Sequence, residues 1–401
     1  MNFKASDFAL LFLLLLIAQS CDSGHPRRNS QLWSVRMTES VMKRCPQSWM
    51  VDFREKPKWE YTEGLVMKAV LHVWQKTKEK RYWQYVYAYY DQFVDDEGNI
   101  MTYDLNEFNI DRINPGKPLF TLFKETGDEK FKKAIFLLRE QMKSHPRMSE
   151  GGFWHKKIYP HQMWLDGIYM ASPFLAEFAQ TFNESQLFDE VANQIIIMER
   201  HARDENTGLL YHGWDASRQQ RWADPISGRS PNCWGRAMGW YAMALVDVLD
   251  FLPIDFPERA KIIAILNRLA ETIAKYQDKE SGLWYQIVDQ AGKEGNYVEA
   301  SVSTMFVYAL IKAVKNHYIV QEYEHVALKG YEGILQHFIK VADDGEVSII
   351  QTCGMAGLGG NPYRDGSFEY YVGEKIRTND PKAIGPFILA SLEIESMNWA
   401  K

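Results

Sequence analysis

The chain has 401 residues, a formal net charge of −6 and a pI near 6.0, and it contains no long Lys/Arg block to neutralise phosphates, which excludes a general nucleic-acid binder. Hydrophobic residues make up an ordinary 46%, but 13 Trp, 21 Tyr and 21 Phe raise the aromatic share to 14%. That is more than a core requires, and surplus rings suit flat, polar-edged ligands such as sugars. The length admits two domains, yet no linker interrupts it, and one large helical barrel accommodates it equally well.

The chain opens on Lys4 and an apolar run from Phe8 to Ala18, too short to span a bilayer, which reads as a targeting signal. The run ends Leu16-Ile17-Ala18-Gln19-Ser20-Cys21 and resembles a bacterial lipoprotein box, with Cys21 as the acylated residue. Ala18 stands where a larger aliphatic is commoner and Asp7 is unusual in a basic leader, so an ordinary secretory signal cut near Ser20 is the alternative. The expected organisation is a signal over residues 1–20, a tether over 21–31 and a single domain over 32–401. The protein is then exported, to the periplasm or anchored at the outer membrane of a bacterium, and touches membrane only through its lipid. Of the other cysteines, Cys45, Cys233 and Cys353 form no paired or metal-like spacing, so free thiols and no metal site are expected.

From Leu32 onward, helical apolar periods alternate with short polar turns that carry glycine. The periodicity predicts twelve helices, at about 33–46, 62–77, 79–94, 113–125, 128–143, 162–182, 185–202, 233–251, 256–276, 298–316, 320–340 and 381–398. The turns repeat, most clearly Asp204-Glu205-Asn206-Thr207-Gly208-Leu209 and Asp278-Lys279-Glu280-Ser281-Gly282-Leu283, with fainter relatives at Asp96, Glu150 and Asp343. One helical hairpin plus a long loop accounts for the period of about 55 to 75 residues. In each turn the glycine permits a left-handed residue, and the residues after it form a short extended piece. Six such hairpins close into an all-α (α/α)6 barrel with short β pieces in its loops. An open solenoid is the competitor, but it gives no reason for tryptophans in the turns.

Long loops on one rim make a cleft, where binding groups concentrate. The segment from His155 to Met170, HKKIYPHQMWLDGIYM, holds one aspartate among rings, histidines and lysines. Asp166, between Trp164 and Tyr169, is expected to have a pKa raised by desolvation, as suits a general acid, although capping or decorating a helix is the plainer explanation. Asp111, before the turn at Pro115-Gly116, is either a second site carboxylate or an N-terminal helix cap. Further along stand Tyr211-His212-Gly213-Trp214-Asp215 and then Trp234-Gly235-Arg236-Ala237-Met238-Gly239-Trp240. A Trp/Arg pair reads as a sugar-stacking face beside a carboxylate clamp, unless Trp240 is plain core and Arg236 pairs with a neighbouring carboxylate. The glycine-rich run Gln351 to Gly360 lacks the strand, helix and spacing of a phosphate loop and reads as a loop over the cleft. No His-x-x-x-His, Gly-x-Ser-x-Gly or Cys-x-x-Cys is present, which leaves acid/base chemistry.

These motifs, together with Phe108-Asn109-Ile110-Asp111-Arg112-Ile113-Asn114-Pro115-Gly116-Lys117 and Asn379-Asp380-Pro381-Lys382-Ala383-Ile384-Gly385-Pro386-Phe387, resemble glycoside hydrolase family 105. These are the unsaturated rhamnogalacturonyl hydrolases, relatives of the family 88 unsaturated glucuronyl hydrolases, and the likeness runs from about Trp59 to Leu392. The resemblance implies an (α/α)6 barrel without metal or cofactor that removes a 4,5-unsaturated uronic acid from the non-reducing end of lyase-generated oligosaccharides. Carried onto this chain, it makes Asp166 the general acid/base and Asp111 its supporting carboxylate. His212, Trp234, Arg236 and Trp240 match substrate-site residues, as do His155, Lys156 and Trp164, and Tyr61 and Thr352 fall where the family contacts substrate. The implied chemistry is hydration: Asp166 protonates C4, then activates water to attack C5, and the resulting hemiketal collapses. Rhamnose from pectin is the family's default neighbour, with glucuronyl-linked chains open, and the loop Asn361 to Tyr371 is a candidate for reading the sugar that follows. A glycan-binding lipoprotein without catalysis and a polysaccharide lyase or epimerase on the same barrel are the rival readings.

Overall fold

A computed structural model of the chain describes residues 32–398; the expected leader, tether and lipidation at Cys21 lie outside the described residues. Outer helix α1 (Trp33–Arg44) is followed by inner α2 (Tyr61–Thr77), outer α3 (Lys80–Phe93), inner α4 (Lys117–Thr126), outer α5 (Glu129–Ser144) and inner α6 (Leu165–Phe182). The alternation continues through outer α7 (Gln186–Ala202), inner α8 (Gly235–Leu249), outer α9 (Arg259–Lys275), inner α10 (Ala300–Lys315) and outer α11 (Tyr323–His337). A short α12 (Phe368–Gly373) precedes the last inner helix, α13 (Pro381–Asn398).

Sequence decides which layer each helix occupies. Every residue of α8, GRAMGWYAMALVDVL, is buried, because a helix apolar all round must be enclosed on all sides. In α5, EKFKKAIFLLREQMKS, Phe131, Ala134, Ile135, Leu138 and Met142 form a buried stripe while Lys133 and Lys143 face water. Inner neighbours pack in sequence, α6 on α8, α8 on α10, α10 on α13 and α13 on α2, and a 3-10 segment (Ile110–Gly116) ahead of α4 packs between α2 and α6. Helix α1 closes the outer ring against α13, where Ser34 donates from its backbone N (3.0 Å) and its hydroxyl to the buried Glu395 carboxylate. This is the expected (α/α)6 barrel.

All twelve expected helices are present. The main differences lie at ends that read as helix but carry strand. Residues 162–164 form β1 (Gln162–Trp164), antiparallel to β2 (Gly213–Asp215) with Trp164 opposite Gly213. The expected helix over 320–340 stops at His337, where β3 (Ile339–Val341) begins and pairs with β4 (Val347–Ile349). A third pair joins β5 (Thr352–Cys353) to β6 (Ile376–Arg377).

The two clearest repeated turns close alike, four residues apart, and the one at Gly98 closes a residue tighter. Gly208 (φ +82°) donates to Asp204 O, Gly282 (φ +73°) to Asp278 O and Gly98 (φ +82°) to Asp95 O, each in the left-handed region that favours glycine. A further copy that the sequence reading missed lies at Asp224 to Gly228 (φ +77°).

The inner helices start at one mouth of the barrel and end at the other. The far mouth holds a polar cluster in which Asp247 of α8 accepts from Lys312 (2.7 Å), the Tyr308 hydroxyl (2.6 Å) and Lys68 (2.5 Å). Lysines near helix C-termini suit the dipole there.

Candidate active site

The N-terminal ends of the inner helices surround an open cleft of about 1130 Å³, lined among others by Tyr61, Asp111, His155, Lys156, Trp164 and Asp166. Asp166 is the second residue of α6, on its first turn and directly after β1, so strand pairing with β2 fixes its position relative to His212, the residue preceding that strand. Leu165 N donates to His212 O at 3.0 Å, which ties the two segments at the acid itself. Asp166 Oδ2 lies 3.2 Å from Nε2 of the fully buried His212, off the axis of a good hydrogen bond. Nδ1 of His212 is 2.7 Å from the Tyr371 hydroxyl. Burial holds that phenol well above its ordinary pKa, so it remains a hydroxyl; when it donates to Nδ1, the Nε2 hydrogen faces Asp166. Tyr371 also stacks on Trp234 (5.5 Å), whose indole N–H donates to Gln286 at 3.1 Å. Tyr371 was absent from the expected set.

Asp111 is not a helix cap. Asn109 takes that role, accepting from Asp111 N at 3.1 Å, and the Asp111 carboxylate projects into the cleft. Lys156 Nζ approaches Asp111 Oδ2 at 2.7 Å and His155 Nε2 approaches Oδ1 at 3.4 Å. Burial alone would raise the Asp111 pKa, but the charge and hydrogen bond of Lys156 outweigh it, and the group lies below its ordinary value as a carboxylate. His155 is pushed down to about 4 by burial, against the pull of Asp111, so its imidazole is neutral. It stacks on Trp164 at 4.3 Å, and Tyr159 stacks on Trp164 at 5.1 Å.

Four expected residues stand differently from their reading. Tyr169 does not flank the acid; it stacks on Trp240 at 4.9 Å and has Lys117 over its ring at 3.5 Å, inside the barrel. Trp240, 1% exposed, lies beneath Tyr61 as core, so Tyr61 alone of that pair lines the cleft. Arg236 is 2% exposed and lies over the Trp234 ring at 4.7 Å, donating to the carbonyls of Cys353 and Gly354. Its burial and its place outside the cleft lining make it a support behind the wall, holding the β5 backbone. Thr352 is buried in β5 with its hydroxyl unpartnered, beside the site and outside the cleft lining.

Arg54, Glu60 and Arg377 escaped the sequence reading, whereas Tyr159 and Arg364 fall in the HKKIY stretch and the loop Asn361 to Tyr371, which it singled out as segments. Lys382, which the C-terminal motif contained, lines the cleft too and pairs with Asp380 at 2.7 Å. The glycine-rich run forms one wall, as expected, through Met355 and Ala356.

Among the lining carboxylates, Asp52 lies 3.1 Å from Arg54, Glu60 2.6 Å from Arg112, Glu107 3.5 Å from Arg112 and Asp111 2.7 Å from Lys156. Among the described residues, Asp166 has only His212 within 4.0 Å as such a partner.

A closed double ring of helices, with two unlike carboxylates and stacked aromatics at one mouth, defines an (α/α)6-barrel carbohydrate enzyme. The model of glycosyl hydrolase family 88 matches residues 33–398, and the chain belongs to that family. It is similar to a solved family 105 glycoside hydrolase of C. acetobutylicum, with 43% identity and a TM-score of 0.88 over 91% of this chain and 100% of that one. It is 25% identical to the unsaturated rhamnogalacturonyl hydrolase YesR of Bacillus subtilis, over 79% of this chain and 84% of that protein. The unsaturated glucuronyl hydrolase of Bacillus sp. GL1 shares the fold, with a TM-score of 0.65 at 13% identity over 90% of this chain and 95% of that one.

Proposed function

We propose that the protein removes a 4,5-unsaturated galacturonate from the non-reducing end of lyase-generated oligosaccharides such as rhamnogalacturonan fragments, by hydrating the C4–C5 double bond. The observation that carries the reading is the contrast between the two aspartates: Asp111 is held as an anion by Lys156, whereas among the described residues no lysine or arginine pins Asp166. A group that must give a proton and then take one back cannot be locked in one state by a fixed cation. Membership of the family and the likeness to YesR support the substrate class.

In this mechanism protonated Asp166 delivers its proton to C4 of the enol ether, and positive charge develops at C5 and the ring oxygen. The Asp166 carboxylate then removes a proton from water as the water oxygen bonds to C5. The product is a hemiketal, which opens and releases the rest of the oligosaccharide from C1, leaving a keto sugar. Asp111 orients a ring hydroxyl, and Tyr61 offers its face to the sugar. The same proposal includes export, with Cys21 carrying the lipid; labelling with a radioactive fatty acid, lost in Cys21→Ala, tests that part.

The test of function follows the ultraviolet absorbance of the unsaturated uronate. A lyase digest of rhamnogalacturonan should bleach with the wild type and not with Asp166→Asn. Bleaching only of glucuronyl-containing digests would replace the galacturonate, and silence on every digest would favour a non-catalytic glycan-binding role.

A further inference from the structure

Seven basic side chains line the cleft, and six of them have a carboxylate partner within 4.0 Å. Arg54 lies 3.1 Å from Asp52, Lys58 2.8 Å from Glu60, Arg112 2.6 Å from Glu60, Lys156 2.7 Å from Asp111, Arg377 3.6 Å from Asp380 and Lys382 2.7 Å from Asp380. The seventh is Arg364, and among the described residues no carboxylate comes within 4.0 Å of it.

Arg364 is nonetheless held in place, by neutral groups. Its Nε donates to Gly359 O at 2.8 Å, and Nη2 donates to the Tyr159 hydroxyl at 2.8 Å and to Leu358 O at 3.1 Å. Its backbone is tied to Gly359 in both directions, N to O at 2.8 and 3.2 Å. The loop leaves room for the guanidinium by having no side chains beside it: a Cβ on Gly357 would stand 2.4 Å from Nη1, and one on Gly360 3.1 Å from Nη2. The guanidinium carbon is 5.9 Å from the Tyr159 ring centre and 6.0 Å from that of Trp164. An unneutralised, preorganised guanidinium on aromatic faces is a receptor for a planar or tetrahedral anion, because little ordering remains when the ligand arrives.

Its position says which part of the substrate it meets. Asp166 stands against His212, which is 0% exposed, whereas the wall that carries Arg364 also carries Met355, which is 59% exposed. An enzyme that removes a terminal residue holds that residue at the closed end and lets the remaining chain leave by the open one.

We propose that Arg364 binds an anionic group, a carboxylate or an O-sulfate, on the part of the oligosaccharide that follows the unsaturated uronate. This rests on the hydrolase reading above. A wholly neutral leaving group would offer the arginine hydroxyls alone.

The test uses three substrates with the same unsaturated terminus. One is the disaccharide with neutral rhamnose, the second has that rhamnose O-sulfated, and the third is the rhamnogalacturonan tetrasaccharide, whose third sugar carries a carboxylate. The wild type should favour at least one charged substrate over the neutral disaccharide by about tenfold in kcat/KM, and which one gains identifies the anion. Arg364→Gln should abolish that preference, and Arg364→Lys should keep part of it because the charge remains. Contacts due to length alone survive in Arg364→Gln, so a preference that persists there overturns the proposal, as does a wild type without preference. Should the wild type bleach none of the three, the galacturonate reading itself fails. Calorimetric titration of the same sugars into wild type and Arg364→Gln then decides for Arg364: weaker binding of a charged sugar by the variant supports the receptor, and equal affinities overturn it.

Discussion

His212 Nε2 and Asp166 Oδ2 face each other at 3.2 Å, and the imidazole is oriented from behind by the Tyr371 hydroxyl, 2.7 Å from Nδ1. The acid therefore sits against a buried imidazole whose ring is held in place from behind. Asp166→Asn should fold normally and lose activity by about 10²- to 10⁴-fold, the range for a positioned acid/base. Tyr371→Phe should retain the ring stack on Trp234 and lose only the hydrogen bond, lowering kcat by about tenfold with KM little changed. A thermal melt of each variant beside its kinetics separates lost chemistry from lost folding.

Asp111 and Lys156 give a prediction in pH. Lys156 holds the buried Asp111 carboxyl below its ordinary value against desolvation. Lys156→Met removes the first of the lowering charges, so the Asp111 pKa rises. If Asp111 acts as an anion, the acid limb of the kcat/KM profile moves to higher pH in the variant. A profile displaced in neither limb would show that Asp111 ionisation does not matter to the reaction.

Arg236 separates support from substrate contact. Its guanidinium is buried and hydrogen-bonded to the Cys353 and Gly354 carbonyls. Arg236→Ala leaves those acceptors unpaired and should cost about 3 kcal/mol of stability in a urea titration, from two stranded acceptors. A direct clamp on the uronate carboxylate would instead raise KM with stability intact.

The far mouth of the barrel should affect stability without affecting chemistry. Burial would raise the Asp247 pKa, but Lys312 and Lys68 outweigh it and hold the carboxyl far below its ordinary value. For a depressed acid, the stabilisation is present above the unfolded-state pKa and is lost as pH falls through that value toward the folded one. Asp247→Ala strands the two lysines and should cost about 3 to 5 kcal/mol at neutral pH, less in strong acid, while kcat/KM per folded molecule stays at the wild-type value.

The barrel was legible in the sequence because its inner helices are apolar on every side and its turns repeat with a glycine at a fixed offset. The misreadings at 162–164 and 338–341 are short apolar runs, in which helix and strand periods cannot be told apart; the pairing of Trp164 with Gly213 decides the first. In the site, Asp111, His155, Lys156 and Asp166 were recognisable because two short motifs carry them. Tyr371 is 159 positions from His212, and Arg364 is 205 from Tyr159, so no local pattern signals either contact. Arg236 and Trp240 show a different limit. Residue type says that they belong near the site, but only packing says which side of the wall they occupy.

The most direct measurement is of where the proton goes. Reaction of the unsaturated disaccharide in heavy water, followed by NMR over the first turnovers, should show one deuterium entering C4 on a single face, with loss of the C4–C5 double bond before or together with release of the second sugar. Release of that sugar while the double bond persists in the uronic acid product would mean direct cleavage at C1 and would contradict hydration by Asp166.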